Sequence, residues 1–447
     1  MSLHTFRVRA GRMAMHATTG ALLCSGLACS GILDVPNPQA FGDDALNDPI
    51  ILKTVTDGVE GSVHQAYDDF IIVAELNSDD MESTSTWIDW EDVSEGRLRH
   101  DWPTGGAFSG PQDALLRARF AAQSAKARVN RVLGAGAATS PLLAQVLAMD
   151  ALSDLLIGMG WCEGPLAVGT AREPDTKFFT QAATKFTTAL TTAQALTDAA
   201  AKSKWTNVAY AGLARSYLLA GDYAKARENA QKVSAGFQYD AIYQELAQST
   251  TGNQFHQNRN RSGGLRRMYH SRVHEIDPQG TGEAYLRDWS DPTVDDKRMA
   301  VTRKAGQLGV NNRFAYYGIT KYSDRNGPIR IFSKVEANLI EAEADMLGAT
   351  PNYQAGADII NAQRARAGVG LPPIATPTDR ASAVTAIANE RQAELWVEGH
   401  RQQDILRFNL GASLGLTGHA KKLPLSRTEI LNNTSMTDGG GSCPAVY

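Results

Sequence analysis

The chain has 447 residues, 43% of them apolar, 21% charged and 7% aromatic, with 44 Lys+Arg against 48 Asp+Glu for a net charge of −4. That length buries a large core, as one big domain or two to three average ones. The acidic balance argues against nucleic acid as a partner, and four cysteines are too few for a disulfide framework.

Taken in chain order, Arg7, Arg9 and Arg12 precede a weakly apolar run from Met13 to Ala28, with no acid before Asp34. Residues 1–28 read as an export signal, too short and too polar to span a membrane stably. The run ends in "GLACSGILDVPNP", where small Ala28 precedes Cys29 as bacterial lipoprotein processing requires, although Gly26 stands where an aliphatic residue is usual. Lipidation of Cys29 is expected, and each methylene buried in the membrane contributes roughly 0.8 kcal/mol. A simple secretory signal with a passenger cysteine is the alternative. Removing the three arginines from 44 leaves 41 Lys+Arg against 48 acids, a net of −7. Beyond Cys29 only Cys162 and Cys443 remain, and whether they pair is left open.

After a tether over residues 29–45, Val55, Val59, Val63 and Ala66 recur at helical spacing and predict a helix from about Ile50 to Ala74. Next comes an acid-rich stretch with helix breakers and three tryptophans, Trp87, Trp90 and Trp102. Helical patterns resume through residues 112–133 and again from Pro141, which suits a helix start because its missing N–H costs little there.

The middle of the chain repeats itself. In "YAGLARSYLLAGDYAKARENAQKV", Tyr210, Leu213, Ala214 and Tyr217 match the first helix of a tetratricopeptide repeat, and Ala226 and Ala230 the second, after a turn at Gly221, Asp222 and Tyr223. The second-helix spacing recurs at Ala182, Phe186 and Ala189, and at Ala355, Ile359 and Ala362, which predicts a curved scaffold of helical pairs. Residues 245–330 are polar and glycine-rich without a sustained apolar period. They read as an irregular insertion with a few short helices and a strand pair, of the kind that carries function.

Three constellations are candidates for chemistry. In "ELWVEGHRQQDILRF", Arg391 and Glu394 lie three apart, Glu398 and Arg401 three apart, and His400 and Asp404 four apart, so on a helix each charge has a partner within one turn. Self-satisfied charges suit a structural clasp better than catalysis, which needs carboxylates brought from different elements around a pocket. His270 and His274 stand four apart as metal ligands on a helix would, but no third ligand follows, and neither a metal nor a cofactor is expected. Trp87 and Trp90 are different. They sit among polar residues with little core to enter, and flat aromatic faces suit sugar rings while neighbouring acids accept hydroxyl hydrogen bonds. Tyr285, Trp289, Tyr316 and Tyr317 are further aromatic candidates, of which Tyr285, Trp289 and Tyr317 join the expected ligand-binding set.

Several segments, in order, resemble the SusD/RagB family of outer-membrane nutrient-binding lipoproteins. These are "CSGILDVPNP", the repeat pair above, "KVEANLIEAEADMLG" with Glu336, Leu339, Ala342, Glu343 and Ala344, and "INAQRARAGV" with Asn361, Arg364, Arg366, Ala367 and Gly368. They continue with "ANERQAELWVEGHRQQDILRF", carrying Glu390, Arg391, Glu394, Glu398, Gly399, His400, Arg401 and Asp404, and with "KKLPLSRTEILNN" carrying Pro424, Glu429 and Asn432. Two departures stand out: Ser333, where a basic residue three before Glu336 is expected, and the unmatched tail "TDGGGSCPAVY".

The resemblance implies a mostly α protein, a tetratricopeptide-like helical-repeat scaffold with an irregular, loop-rich ligand-binding side. One such domain is expected over residues 46–440, with residues 441–447 as a tail. It further implies a surface-exposed, non-enzymatic lipoprotein of the outer membrane that binds a glycan, or in some members a peptide, and docks on a SusC-like TonB-dependent transporter. The rivals are a periplasmic repeat-type assembly scaffold and a helical glycan-degrading enzyme.

Overall fold

Apolar periodicity becomes structure first in helix α1 (Leu52–Leu76), where Val59, Val63 and Ala66 are buried and every residue from Phe70 to Leu76 is enclosed. The computed structural model describes residues 42–98, 106–244, 252–255, 269–271, 282–313, 315–322, 324–436, 443 and 445–447. The signal segment and Cys29 lie outside them. The chain divides into two units, Met1–Ile51 and Leu52–Tyr447. Of the first, the described residues hold a short 3-10 helix, Asp43–Asn47. Everything below concerns the second.

After α2 (Ile88–Ser94) and the long α3 (Gly106–Leu133) comes α4 (Pro141–Gly160), capped by Ser140, whose hydroxyl accepts the Leu142 N–H. By length and composition α4 is apolar enough to cross a membrane, but it is buried in the protein interior, against α1, α3 and α5 (Asp175–Gln194). Its two buried acids are satisfied there. Asp154 meets Arg119 at 3.0 Å and Lys185 at 2.6 Å, and Lys185 also reaches Asp150 at 2.8 Å.

The repeat folds as its spacing predicts. In α6 (Ala199–Leu219) and α7 (Tyr223–Lys232), Leu213, Ala214, Ala226 and Ala230 are buried. Gly221 turns the chain at φ 80°, and the Asp222 carboxylate accepts the Lys225 N–H at 3.0 Å. Ala182, Phe186 and Ala189 of α5 are buried too, and Gly212 lets α6 approach so closely that an added methyl would overlap the Phe186 ring. The later copy is shifted. In α9 (Tyr353–Arg364) the face packed on α8 (Lys334–Leu347) is Gly356, Ala357 and Ile360, while Ala362 is exposed. Gly356 sets that register, because a side chain there would collide with Met346 and the Ala342 carbonyl.

Ser333 caps α8, accepting the Glu336 N–H at 3.0 Å. The partner of buried Glu336 comes instead from α6, where the Arg215 guanidinium reaches both carboxylate oxygens at 2.6 Å. A basic residue at position 333 is thereby replaced by one 118 positions earlier, which no local spacing reveals.

Strands frame the insertion. β1 (Met81–Ser83) pairs antiparallel with β5 (Tyr269–Ser271), and β4 (Gln238–Ala241) with β9 (Ile329–Ser333); a further hairpin joins β2 (Glu163–Pro165) to β3 (Arg172–Pro174). Between them β6 (Gly282–Arg287), β7 (Asp295–Leu308) and β8 (Ala315–Ile319) form a three-stranded antiparallel meander, more regular than the expected strand pair. Its apolar signal is diluted because β7 alternates a few buried residues, Met299 and Val301, with charges. His270 belongs to β5, so its helical spacing to His274, which lies outside the described residues, does not apply.

Cys162 and Cys443 form a disulfide. The tail beyond it is paired to the 418–421 segment: the Lys421 N–H donates to the Ala445 carbonyl at 2.8 Å and the Tyr447 N–H to the His419 carbonyl at 3.0 Å.

Candidate functional site

The charged cluster is not one helix. α10 (Arg380–Glu394) stops, residues 395–400 run irregularly, and α11 (Arg401–Arg407) follows. Val397 and Gly399 take left-handed backbone conformations, φ 51° and 80°, which a β-branched residue holds only where its surroundings over-determine it. Those surroundings are specific. Lys321 donates to the Trp396 carbonyl at 2.7 Å, the Tyr322 hydroxyl to that of Val397 at 2.9 Å and the Tyr67 hydroxyl to that of Glu398 at 3.0 Å. The Gly399 N–H donates to Glu75 at 2.5 Å, and an added Cβ would stand 2.6 Å from the Phe70 ring.

The expected pairings within one turn are therefore wrong in detail. Arg391 binds Asp404 at 2.8 Å, Arg401 binds Asp79 at 2.6 Å, and Glu398 binds Lys321 at 2.8 Å. Glu394 is held by Arg298 at 2.8 Å and Arg366 at 2.5 Å. Arg364 lies fully buried between Asp288 at 2.5 Å and Glu390 at 2.9 Å. The clasp is real, but its partners come from across the chain. Burial, and then the positive charges of Arg215, Arg391, Lys321 and Arg407, hold His400 well below the usual histidine range, so the ring stays neutral at physiological pH.

One acid in this region carries a pH signature. Burial, reinforced by the Asp79 charge, pushes the Asp80 carboxyl from 3.8 up to about 7. Between about pH 4 and 7 the folded protein therefore keeps a proton that the unfolded chain loses, and this residue's contribution to stability falls as pH rises through that window. Asp80→Asn is expected to raise the urea midpoint at pH 8 and to leave it nearly unchanged at pH 4. Equal shifts at both values would show that the proton is not the cause.

A cleft of about 420 Å³ opens beside the clasp, with Arg298, Lys321, Arg330, Arg366, Glu394 and Glu398 among its walls. Each of these charges already has an opposite partner.

The candidate aromatics are not brought to one place. Tyr317, like Tyr316, is buried and has no face to offer a ligand, because β8 packs into the core. Trp289 is half-buried against the second core cluster and donates its indole N–H to Glu390 at 3.2 Å, so it belongs to the clasp. Trp90 is half-buried on the main core, and Tyr285 is half-buried on β6. Only Trp87 stands out, 61% exposed, beside Ile88 at 59%.

The backbone around Trp87 is tied down by hydrogen bonds. The Ser83 N–H donates to the Ser94 hydroxyl oxygen at 3.0 Å, the Ser85 N–H to that of Ser83 at 3.2 Å, and the Trp87 N–H to that of Ser85 at 3.0 Å. Opposite lies the β7–β8 turn. The Asn311 N–H donates to the Thr84 carbonyl at 2.8 Å, Asn312 sits at φ 56°, and Arg313 donates from its backbone to the Asn311 side chain at 3.1 Å. The Arg313 guanidinium then reaches Glu91 of α2 at 2.5 Å. Sequence reasoning found Trp87 and read Glu91 and Asp92 as solvated acids or sugar hydroxyl acceptors, but missed Ile88 and Arg313. The one available signal was the turn chemistry of "GVNNR".

Residues 243–441 match the model of the SusD family. No curated protein matches the sequence. Among solved structures, a SusD-like carbohydrate binding protein from Bacteroides vulgatus is 16% identical, with a TM-score of 0.61 over 80% of this chain and 82% of that one. A SusD/RagB family protein from Bacteroides thetaiotaomicron is 14% identical, with a TM-score of 0.60 over 87% and 96%. A laminarin binding SusD-like protein is 15% identical, with a TM-score of 0.55 over 86% and 98%. At these identities the structural likenesses establish the fold, a SusD-like helical scaffold.

Proposed function

Starting from a chain that belongs to the SusD/RagB family, through the match over residues 243–441 and a SusD-like fold, we propose that it is a glycan-binding lipoprotein of the outer membrane. In this reading Cys29 carries the lipid anchor, the Trp87 face captures an oligosaccharide, and a SusC-like TonB-dependent transporter receives it. The single observation that carries the reading is Trp87 itself: a large apolar side chain left 61% exposed on a backbone fixed by three serine hydroxyls. Rigid exposed aromatics are the anchors of binding sites. A relative of the same fold is a laminarin binding protein, and the Cys162–Cys443 disulfide suits an exported protein.

Ligand contact is assigned to Trp87 alone among the aromatic candidates, with Trp90 supporting it and Tyr285, Trp289 and Tyr317 packing the insertion. Native gels cast with polysaccharides test this. The protein from residue 30 onward is expected to be retarded by at least one glycan. Trp87→Ala is expected to weaken that binding at least tenfold, about 1.4 kcal/mol, without a change in thermal midpoint. Retardation by none of the glycans, or equal retardation of the variant, would count against the reading, and binding of oligopeptides instead would assign the protein to the peptide-binding members.

A further inference from the structure

We infer that the Arg313–Glu91 pair makes the Trp87 face selective for neutral sugar rings with adjacent hydroxyls, against rings that carry carboxylate or sulfate. The inference rests on the glycan reading above and adds the chemistry of the ligand. Trp87 is the N-cap of α2 and Glu91 lies one helical turn on, its N–H donating to the Trp87 carbonyl at 3.2 Å, so the carboxylate starts from the backbone turn that carries the indole. Arg313 arrives there from 222 residues away in sequence, on a turn bolted to Thr84 and ordered by Asn311. The pair is held in place before any ligand arrives.

Its chemistry is that of a donor beside an acceptor. Arg313 commits one terminal nitrogen to one oxygen of Glu91; its other side-chain N–H groups and the second Glu91 oxygen have no partner among the described residues. Adjacent sugar hydroxyls match this arrangement, because one hydroxyl oxygen accepts from the guanidinium while its neighbour donates to the carboxylate. The charges of the pair cancel. Asp92 and Glu95 nearby share the single cation Arg97, and from residue 30 onward the chain carries 41 Lys+Arg against 48 Asp+Glu, a net of −7. Among the described residues an anionic ring therefore meets no surplus cation there, and it approaches against the net negative charge of the protein. A neutral ring loses nothing by that field.

The test uses the protein from residue 30 onward with laminarin and galactomannan as neutral probes and polygalacturonate and carrageenan as acidic ones. Wild type is expected to be retarded by a neutral probe and by neither acidic one. Arg313→Gln should lose about tenfold on the neutral probe. Glu91→Gln should lose severalfold there and gain about tenfold on polygalacturonate, because Arg313 is then uncompensated. Thermal midpoints should not move, since Arg313 is largely exposed at 61%. Preference of the wild type for an acidic probe overturns the inference. So does wild-type behaviour of both pair variants while Trp87→Ala fails to bind, or a Glu91→Gln variant that gains nothing on polygalacturonate; in these cases glycan binding itself stands. If the wild type binds no probe, both readings fall.

Discussion

Arg364→Met is expected to cost about 3–5 kcal/mol of unfolding free energy, a large share of what holds a domain together. Arg364 is fully buried, donates to the Asp288 and Glu390 carboxylates, and also binds the Ser290 hydroxyl and the Pro372 carbonyl at 2.9 and 2.7 Å. Removing it leaves the buried Asp288 carboxylate without its cation, held by the Ser290 and Asp291 N–H groups and the Ser290 hydroxyl, and leaves Glu390 to Arg298 and to the indole of Trp289. The penalty arises from the carboxylates left behind more than from the bonds lost. A double variant, Arg364→Met with Asp288→Leu, should therefore cost less than the two single changes added together. Urea denaturation of the four proteins measures this. A single-variant loss under 1 kcal/mol, or strict additivity, would show that the clasp residues act independently.

Opening the Cys162–Cys443 disulfide is expected to lower stability by about 2–4 kcal/mol, the usual range for a bridge that closes a long loop. The bond joins positions 281 residues apart. Once it opens, the tail depends on its few backbone hydrogen bonds to the 418–421 segment and on the Tyr447 ring lying over Gly411. Urea midpoints with and without reductant, and for Cys162→Ser, should fall together, while reductant should do nothing further to the variant. Alkylation of both thiols in the native, unreduced protein would refute the pairing.

Much of the scaffold was legible from residues alone because a repeat writes its contacts locally. Leu213, Ala214, Ala226 and Ala230 recur at helical spacing and are buried on one face, and Gly221 and Asp222 mark the turn by their own backbone and capping chemistry. The same logic misplaced the face of α9 by about one residue, because there a glycine fitted between Met346 and the Ala342 carbonyl decides the register.

The charged motif shows where local reasoning stops. Its composition announced a clasp, and a clasp it is. Spacing named the wrong partners, because at Val397 and Gly399 the backbone leaves the helix, held by Tyr67, Glu75, Lys321 and Tyr322. A buried charge takes whichever opposite charge the fold brings within reach, since solvation is no longer available to it. That choice is made in three dimensions.

What the sequence by itself determined was the helical-repeat class and the family resemblance, because helical period and capping act over a few residues. Only the tertiary structure decided which aromatics face solvent, which cysteines pair, that Arg215 serves Glu336, and that Arg313 reaches Glu91. Each of these is a contact between residues dozens to hundreds of positions apart, fixed by how the insertion sheet and the helices are packed and leaving no periodic trace along the chain.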